Sequence, residues 1–194
     1  EDHDPKKGKL RSCGRAYPGI DIKIVDEKNN EVEDGQVGEI LIKGQCVMKG
    51  YWNKEDATQE SIIDEWFYTG DAGYFDDEKF LYIHDRVKDM IVSGGENIYP
   101  AEVENALMAH ENISDAAVIG IPDDKWGEAV KGIVVTNKEL TDKEIIDFVK
   151  TKIAGYKCPK SIDFEQDLPR NPSGKILRRE LRAPYWEGKD RNIS

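Results

Sequence analysis

Lys175 is the residue of this 194-residue chain whose surroundings point most directly to chemistry. It follows a Pro-Ser-Gly turn in the segment RNPSGKILRRELR, residues 170–182. A lysine at the tip of a turn can present a point charge to an anion. From residue 170 to the last residue, seven Lys and Arg exceed three Asp and Glu, and this local charge of +4 favours a small anion such as a nucleotide. A solvated basic helix face has the same composition, so both interpretations stay open.

Two other segments contain residue types that suit a nucleotide or a cofactor. In WFYTGD, Asp71 follows a predicted Thr-Gly turn, where an exposed carboxylate can accept hydrogen bonds from two neighbouring ribose hydroxyls. The alternative is an aspartate that binds its own turn backbone. In VSGGENIYP, Gly94 and Gly95 allow a close approach of the backbone to a ligand. Their spacing matches neither GxxxxGK nor GxGxxG, and an ordinary strand-to-helix turn is the alternative.

Cysteines and histidines indicate neither a metal site nor a disulfide framework. The three cysteines and three histidines lie far apart and show none of the short spacings of a zinc site. We therefore predict a reducing, cytoplasmic setting. The six residues are Cys13, Cys46, Cys158, His3, His84 and His110.

The composition is that of an acidic, folded protein. Apolar residues make up 38% of the chain and charged residues 35%, which suits a buried core and a polar surface. The net charge of −11 argues against nucleic acid as the main partner, because phosphate binding needs clustered Lys and Arg. No apolar run approaches the roughly 20 residues of a transmembrane helix. Because the chain opens on a charged stretch without an initiator methionine, we expect it to be part of a longer protein.

The predicted secondary structure that must position these residues changes near Arg86, from mainly strands to alternating helices and strands. Before it we predict strands at 20–25, 37–44 and 47–52, a helix at 54–63, and a strand, a turn and a hairpin with its loop at 76–79. After it we predict helices at 99–110, 141–153 and 176–182, and strands at 113–121, 128–136 and 161–166. The expected fold is α+β, with a β-rich domain at 1–86 and a small α+β domain at 87–194.

Several motifs together resemble one enzyme superfamily. YTGD, an arginine fifteen positions later, SGGENIYPAEVE and PSGKILRREL follow each other in order, after GRAYPGIDIKIVD, VGEILIKG and MKGYWNKEDAT. This combination resembles the adenylate-forming superfamily, and within it the acyl-CoA and aryl-CoA synthetases. The resemblance implies that residues 1–86 are the last, barrel-like subdomain of a large N-terminal domain and that residues 87–194 are a mobile C-terminal domain.

The resemblance also implies a role for each matching residue. Asp71 and Arg86 would bind the ribose of ATP and AMP, and Lys88 would be the hinge. Gly94 and Gly95 would line the tunnel for the thiol of CoA, and Lys175 would be catalytic. The residues expected to contact CoA are Tyr156 and Lys157.

The chain departs from the family pattern in two positions and lacks one region. Glu65 and Asp85 stand where the family usually has glycine, and Asp85 is expected to pair with Arg86 and to compete for the ribose. The phosphate loop that holds triphosphate and magnesium is missing from these residues, as is the acyl pocket. The resemblance therefore implies the C-terminal portion of a synthetase, without a metal ligand and inactive in adenylation by itself.

The implied reaction has two steps. A carboxylate attacks MgATP to give acyl-AMP and pyrophosphate, and the thiol of CoA then displaces AMP. Lys175 would bridge the carboxylate and the α-phosphate while protonated. The acid is left open between fatty and aromatic acids, and a long-chain fatty acid would favour peripheral association of the cytoplasmic enzyme with a membrane. The alternatives are an adenylation domain that loads a carrier protein and a non-catalytic module that binds an anionic partner.

Overall fold

A computed structural model describes residues 9–188, in which ten β-strands and four α-helices form two compact units. The first unit extends to Val87 and the second begins at Lys88. A five-stranded antiparallel sheet dominates the first unit, and the second combines a five-stranded mixed sheet with helices. The predicted α+β class is therefore confirmed. No helix within the described residues is both long and apolar enough to cross a membrane.

Alternation of apolar and polar residues builds the sheet of the first unit. Its elements are β1 (Ile20–Val25), β2 (Gly38–Gly44), α1 (Glu55–Ser61), β3 (Ile62–Ile63), β4 (Trp66–Phe75) and β5 (Leu81–Arg86). The strands lie in the order β1-β2-β4-β3, and β5 pairs with β4. Alternate residues of a strand face the same side, so Ile24, Ile40 and Leu81 meet in one buried cluster.

Two predictions for the first unit are wrong at the level of single elements. The segment 47–52, predicted as a strand, is a loop, because the backbone N–H of Tyr51 donates to Thr58 Oγ1 at 2.9 Å and not to a neighbouring strand. The helix predicted at 54–63 ends at Ser61. Its last two residues, Ile62–Ile63, pair with β4 as the short strand β3, which suits the preference of β-branched side chains for strands.

The second unit places two helices against one face of its sheet. Its elements are β6 (Ile91–Ser93), β7 (Glu96–Ile98), α2 (Pro100–Met108), β8 (Ile113–Asp123), β9 (Gly127–Thr136), α3 (Asp142–Lys150), β10 (Ser161–Phe164) and α4 (Arg178–Arg182). The sheet order is β10-β9-β6-β7, with β8 also paired to β9. In α2, Val103, Ala106 and Leu107 are buried, whereas His110 lies past the helix end and packs edge-on against Phe148.

Strand β8 is buried on both faces, which explains its continuous apolar sequence. Alternate residues contribute to two different buried clusters, with Val118 in one and Ala117 and Ile119 in the other. The first cluster includes the residues of α2 and α3. The second is covered by partly buried Ile176 and Leu181 of the C-terminal segment. The segment that contains Lys175 is therefore packed on the sheet.

Candidate active site

Asp71 and Arg86 form a cross-strand ion pair in the first unit. Asp71 of β4 lies directly opposite Arg86 of β5 in the antiparallel register. Arg86 Nε is 3.2 Å from Asp71 Oδ1, and both side chains are partly exposed. The Asp85 carboxylate, expected to pair with Arg86, accepts a hydrogen bond from the Arg86 backbone N–H at 2.8 Å. The structure thus brings together the two side chains predicted to bind ribose.

The Thr-Gly turn predicted before Asp71 is wrong, because YTGD lies inside β4. The register between β2 and β4 shifts opposite Ile40, so that residues 69–71 form a bulge. The Thr69 hydroxyl donates to the Ile40 carbonyl at 2.8 Å and accepts from the Asp71 N–H at 3.1 Å. Gly70 has φ +70°, a value that glycine adopts without strain. A bulge re-aims side chains within a strand, and here it sets the direction of Asp71.

The carboxylates near this bulge have different partners. Among residues 9–188, the Asp71 carboxylate has Arg86 as its only hydrogen-bond or ion-pair partner, so the interpretation of an aspartate bonded to its own turn is wrong. The half-buried Glu39 accepts a hydrogen bond from the Gly70 N–H at 3.0 Å. Burial raises the pKa of Glu39, and the negative charge of Asp71 raises it further. Burial and the nearby Asp71 therefore disfavour the charged form of Glu39.

Lys88, the predicted hinge, is in a short 3₁₀ turn, Val87–Asp89, at the start of the second unit. The double glycine that follows is a hairpin turn, not the strand-to-helix turn considered above. Gly94 and Gly95 have φ +62° and +84° and connect β6 to β7, with Ser93 paired to Glu96. Two consecutive positive φ values are typical of a type I′ turn.

The two glycines of this turn have different surroundings. A Cβ atom on Gly94 would lie 2.6 Å from Trp126 Cε3, whereas a Cβ atom on Gly95 would have no heavy atom of residues 9–188 within 4 Å. The Gly94 N–H also donates to the Trp126 carbonyl at 2.8 Å. Gly94 is therefore needed for packing, and the open side of Gly95 is the one that could border a ligand.

Tyr156 and Lys157 lie in another 3₁₀ turn, Gly155–Lys157. The Tyr156 ring is about half exposed. The Lys157 ammonium donates to both carboxylate oxygens of Glu102 in α2, at 2.8 and 2.7 Å. A phosphate of a ligand would have to compete with this carboxylate for Lys157.

Lys175 is exposed on a tightly hydrogen-bonded turn. Asn171 Oδ1 accepts from the Ser173 N–H, the Ser173 hydroxyl and the Lys175 N–H at 3.0, 2.8 and 2.9 Å. The Asn171 N–H donates to the Lys175 carbonyl at 2.9 Å, and Gly174 has φ +84°. Within residues 9–188, no carboxylate lies at ion-pair distance from the Lys175 ammonium. The turn thus holds the backbone of Lys175 in place and leaves its charge available.

Part of the basic run around Lys175 is neutralised inside the second unit. Arg170 pairs with Asp115, and Arg178 pairs with Glu104 at 2.7 Å and with Asp89 at 3.5 Å. The positive excess is therefore smaller than the residue count indicates. Lys189 and Arg191 of that count, and also His3, lie outside the described residues.

Sequence reasoning assigned no role to Asn171, Arg170 or Trp126. Asn171 had a local signal, since asparagine before Pro-Ser-Gly is typical of a turn closed by the asparagine side chain. Arg170 had none, because its partner Asp115 lies 55 residues away. Trp126 also had none, since its contact with Gly94 depends on the pairing of β6 with β9.

Metal-ligating side chains form no cluster within the described part of the chain. Between residues 9 and 188, no three His, Cys, Asp or Glu side chains form a group that could hold a metal. Cys13 and Cys46 are exposed, and burial raises the pKa of the Cys158 thiol.

Comparisons with known proteins agree with these motifs. The model of AMP-binding enzymes matches residues 1–52, and the model of the AMP-binding enzyme C-terminal domain matches residues 102–175. A 2-succinylbenzoate–CoA ligase of Bacillus cereus is 53% identical over 90% of this chain and 36% of its own length. The fatty acid–[acyl-carrier-protein] ligase ScoC of Streptomyces coeruleorubidus is 40% identical over 99% of this chain and 37% of its own length.

A solved structure is also similar. The o-succinylbenzoate CoA synthetase of Bacillus subtilis, in complex with the acyl-adenylate intermediate OSB-AMP, matches with a TM-score of 0.84 and 43% identity over 91% of this chain and 36% of that one. The chain thus spans about a third of the length of the relatives it matches. It belongs to the superfamily of adenylate-forming, AMP-binding enzymes.

Proposed function

We propose that the protein containing this chain is an ATP-dependent acid–CoA ligase. In the first step a carboxylate displaces pyrophosphate from ATP and forms acyl-AMP. In the second step the thiol of CoA displaces AMP and forms acyl-CoA. The observation that carries the proposal is the exposed ammonium of Lys175 on its hydrogen-bonded turn, which no carboxylate of residues 9–188 pairs with. The chain that contains it is similar to CoA ligases.

Lys175 supplies the charge for the first step. This step brings two anions together, so negative charge concentrates between the carboxylate and the α-phosphate. A cation held in advance at that position lowers the barrier, because little reorganisation is needed during the reaction. Lys175 acts while protonated and therefore needs no base next to it.

Asp71 and Arg86 hold the ribose of the nucleotide. A carboxylate has about four acceptor sites, so its ion pair with Arg86 leaves capacity for the two ribose hydroxyls. Arg86 holds the Asp71 carboxylate in position for this task. The bulge at residues 69–71 supports the pair from the other side of the strand.

The second step uses the open side of the β6–β7 turn. Gly95 leaves room for the thiol arm of CoA, and Tyr156 and Lys157 contact CoA, Lys157 by exchanging Glu102 for a phosphate. Lys88 absorbs the backbone change when the second unit rotates between the two steps. We assign no magnesium ligand to this chain.

A carrier-protein ligase is the second candidate, because ScoC is similar along nearly the whole chain. The two candidates share the first step and differ in the acyl acceptor. A test in the whole enzyme first measures acid-dependent exchange of pyrophosphate into ATP with fatty and aromatic acids. The best acid is then offered with CoA or with phosphopantetheinylated carrier protein. Transfer to CoA supports the proposal, transfer to the carrier alone supports the second candidate, and no acid-dependent exchange contradicts both.

A further inference from the structure

Arg170 connects the turn of Lys175 to the sheet. Its Nη1 donates to the carbonyl of Gly174, the residue before Lys175, at 2.7 Å. Its Nη2 donates to Asp115 Oδ2 of β8 at 2.5 Å. One guanidinium therefore bonds both to the backbone beside Lys175 and to a strand that is distant in sequence.

Asp115 is itself firmly placed. The register of β8 against β9 shifts between Ile113 and Asp115, and the Ser114 hydroxyl closes this bulge by donating to the Val135 carbonyl at 3.1 Å. Asp115 Oδ1 accepts from the Ala116 N–H at 3.0 Å, which leaves Oδ2 for Arg170. Three-quarters of the Asp115 side chain is buried. The bulge thus turns a strand carboxylate toward the C-terminal segment.

The turn is closed mainly by bonds between its own residues. Asn171 binds its neighbours, and Arg170 and Ile176 form a single antiparallel bridge at its base. Such bonds set the shape of a turn but not its position relative to the sheet. Packing of Ile176 places one side of the turn on the sheet, and the Arg170–Asp115 bond adds a directional constraint beside Lys175.

We propose that Arg170 and Asp115 are positioning residues that orient Lys175 for formation of the acyl-adenylate. This inference rests on the proposed role of Lys175. The rigid, planar guanidinium of arginine holds its two donors in fixed directions, whereas the ammonium of lysine is a point charge on a flexible stem. A displacement of a catalytic group by about 1 Å can cost about 10²-fold in rate, so loss of this bond should be visible in kcat.

The test measures both half-reactions in the whole enzyme. Arg170→Ala, Arg170→Lys and Asp115→Ala should each slow acyl-AMP formation by about 10- to 100-fold, while CoA ester formation from supplied acyl-AMP stays close to the parent rate. Arg179→Ala is the matched control, because Arg179 is an exposed arginine of the same segment. It should leave both rates close to the parent. The double variant Arg170→Ala/Asp115→Ala should lose no more than either single variant, since residues acting as one unit are not additive.

Other outcomes separate this inference from the proposed function. If Lys175→Ala retains acyl-AMP formation, the role of Lys175 fails and the inference fails with it. If Lys175→Ala loses acyl-AMP formation but the Arg170 and Asp115 variants do not, only the inference fails. Equal slowing of both half-reactions, together with a lower melting temperature, would assign the two residues to stability alone and overturn it as well.

Discussion

Lys175 has a role that is restricted to one of the two proposed steps. Lys175→Ala removes the charge that bridges two anions, so acyl-AMP formation in the whole enzyme should fall by at least ~10²–10³-fold. CoA ester formation from supplied acyl-AMP should fall far less. Rapid-quench measurement of each half-reaction, with Arg179→Ala as the control, checks this. A similar loss in both steps would contradict the assignment.

Glu39 should make the stability of the first unit depend on pH. Burial raises its pKa above the ordinary value of 4.5, and Asp71 adds to the shift. The protonated form is therefore favoured by folding, so this contribution is complete below pH 4.5 and is lost as the pH rises through the folded pKa.

Glu39→Gln mimics the protonated carboxyl and keeps an acceptor for the Gly70 N–H. The variant should be more stable than the parent at pH 7, and the difference should shrink toward pH 4. Urea unfolding of both proteins at a series of pH values measures this difference in stability. A stability difference that does not change between pH 4 and pH 7 would show that the Glu39 charge is not costly.

At the scale of elements, the β3–β4 hairpin explains why glycine would suit position 65. Asp64 and Glu65 have φ +51° and +68° between the paired residues Ile63 and Trp66. Non-glycine residues are strained at such angles. Glu65→Gly should therefore raise the melting temperature of the first unit by about 2–4 °C, although it removes the exposed ion pair with Lys43.

The control for this change is Glu60→Gly in α1. Glu60 is also exposed but helical, so glycine there should lower the melting temperature. Calorimetry of both variants and the parent measures these changes in melting temperature. If Glu65→Gly melts no higher than the parent, the positive φ at this position stores no strain.

The β6–β7 turn should respond differently to alanine at its two glycines. Gly95→Ala adds only backbone strain of about 1–2 kcal/mol, whereas Gly94→Ala also drives a Cβ into Trp126. Gly94→Ala should therefore be the more destabilising, with a changed tryptophan fluorescence. Adding Trp126→Ala to each variant should reduce the difference in stability between them. Equal stability of the two alanine variants would argue against a packing role for Gly94.

At the scale of the whole molecule, residues 1–194 alone should form no acyl-AMP. The sequence contains no phosphate loop of the kind that orients the triphosphate, and the chain spans about a third of its relatives' length. Without that orientation the reaction loses the lowering of its activation barrier by proximity, which is worth up to ~7–11 kcal/mol. The pure chain should show no pyrophosphate exchange with fatty or aromatic acids, whereas the whole enzyme provides the positive control. Robust acid-dependent exchange by residues 1–194 would refute this.

Local patterns in the sequence determined most elements and the candidate residues. The capping threonine Thr141 and the proline Pro100 predicted where α3 and α2 begin. The loop of the β4–β5 hairpin was also predicted. These signals were readable because each depends on residues within a few positions of one another.

Tertiary structure alone decided which of these residues meet. The Asp71–Arg86 pair requires the register of β4 against β5, and the Arg170–Asp115 bond requires a bulge in β8. The strand predicted at 47–52 failed for a more local reason, since the Thr58 side chain, seven positions along, accepts the Tyr51 N–H. Register and bulges are set by the packing of whole strands on a core, so neither composition nor spacing along the chain could reveal them.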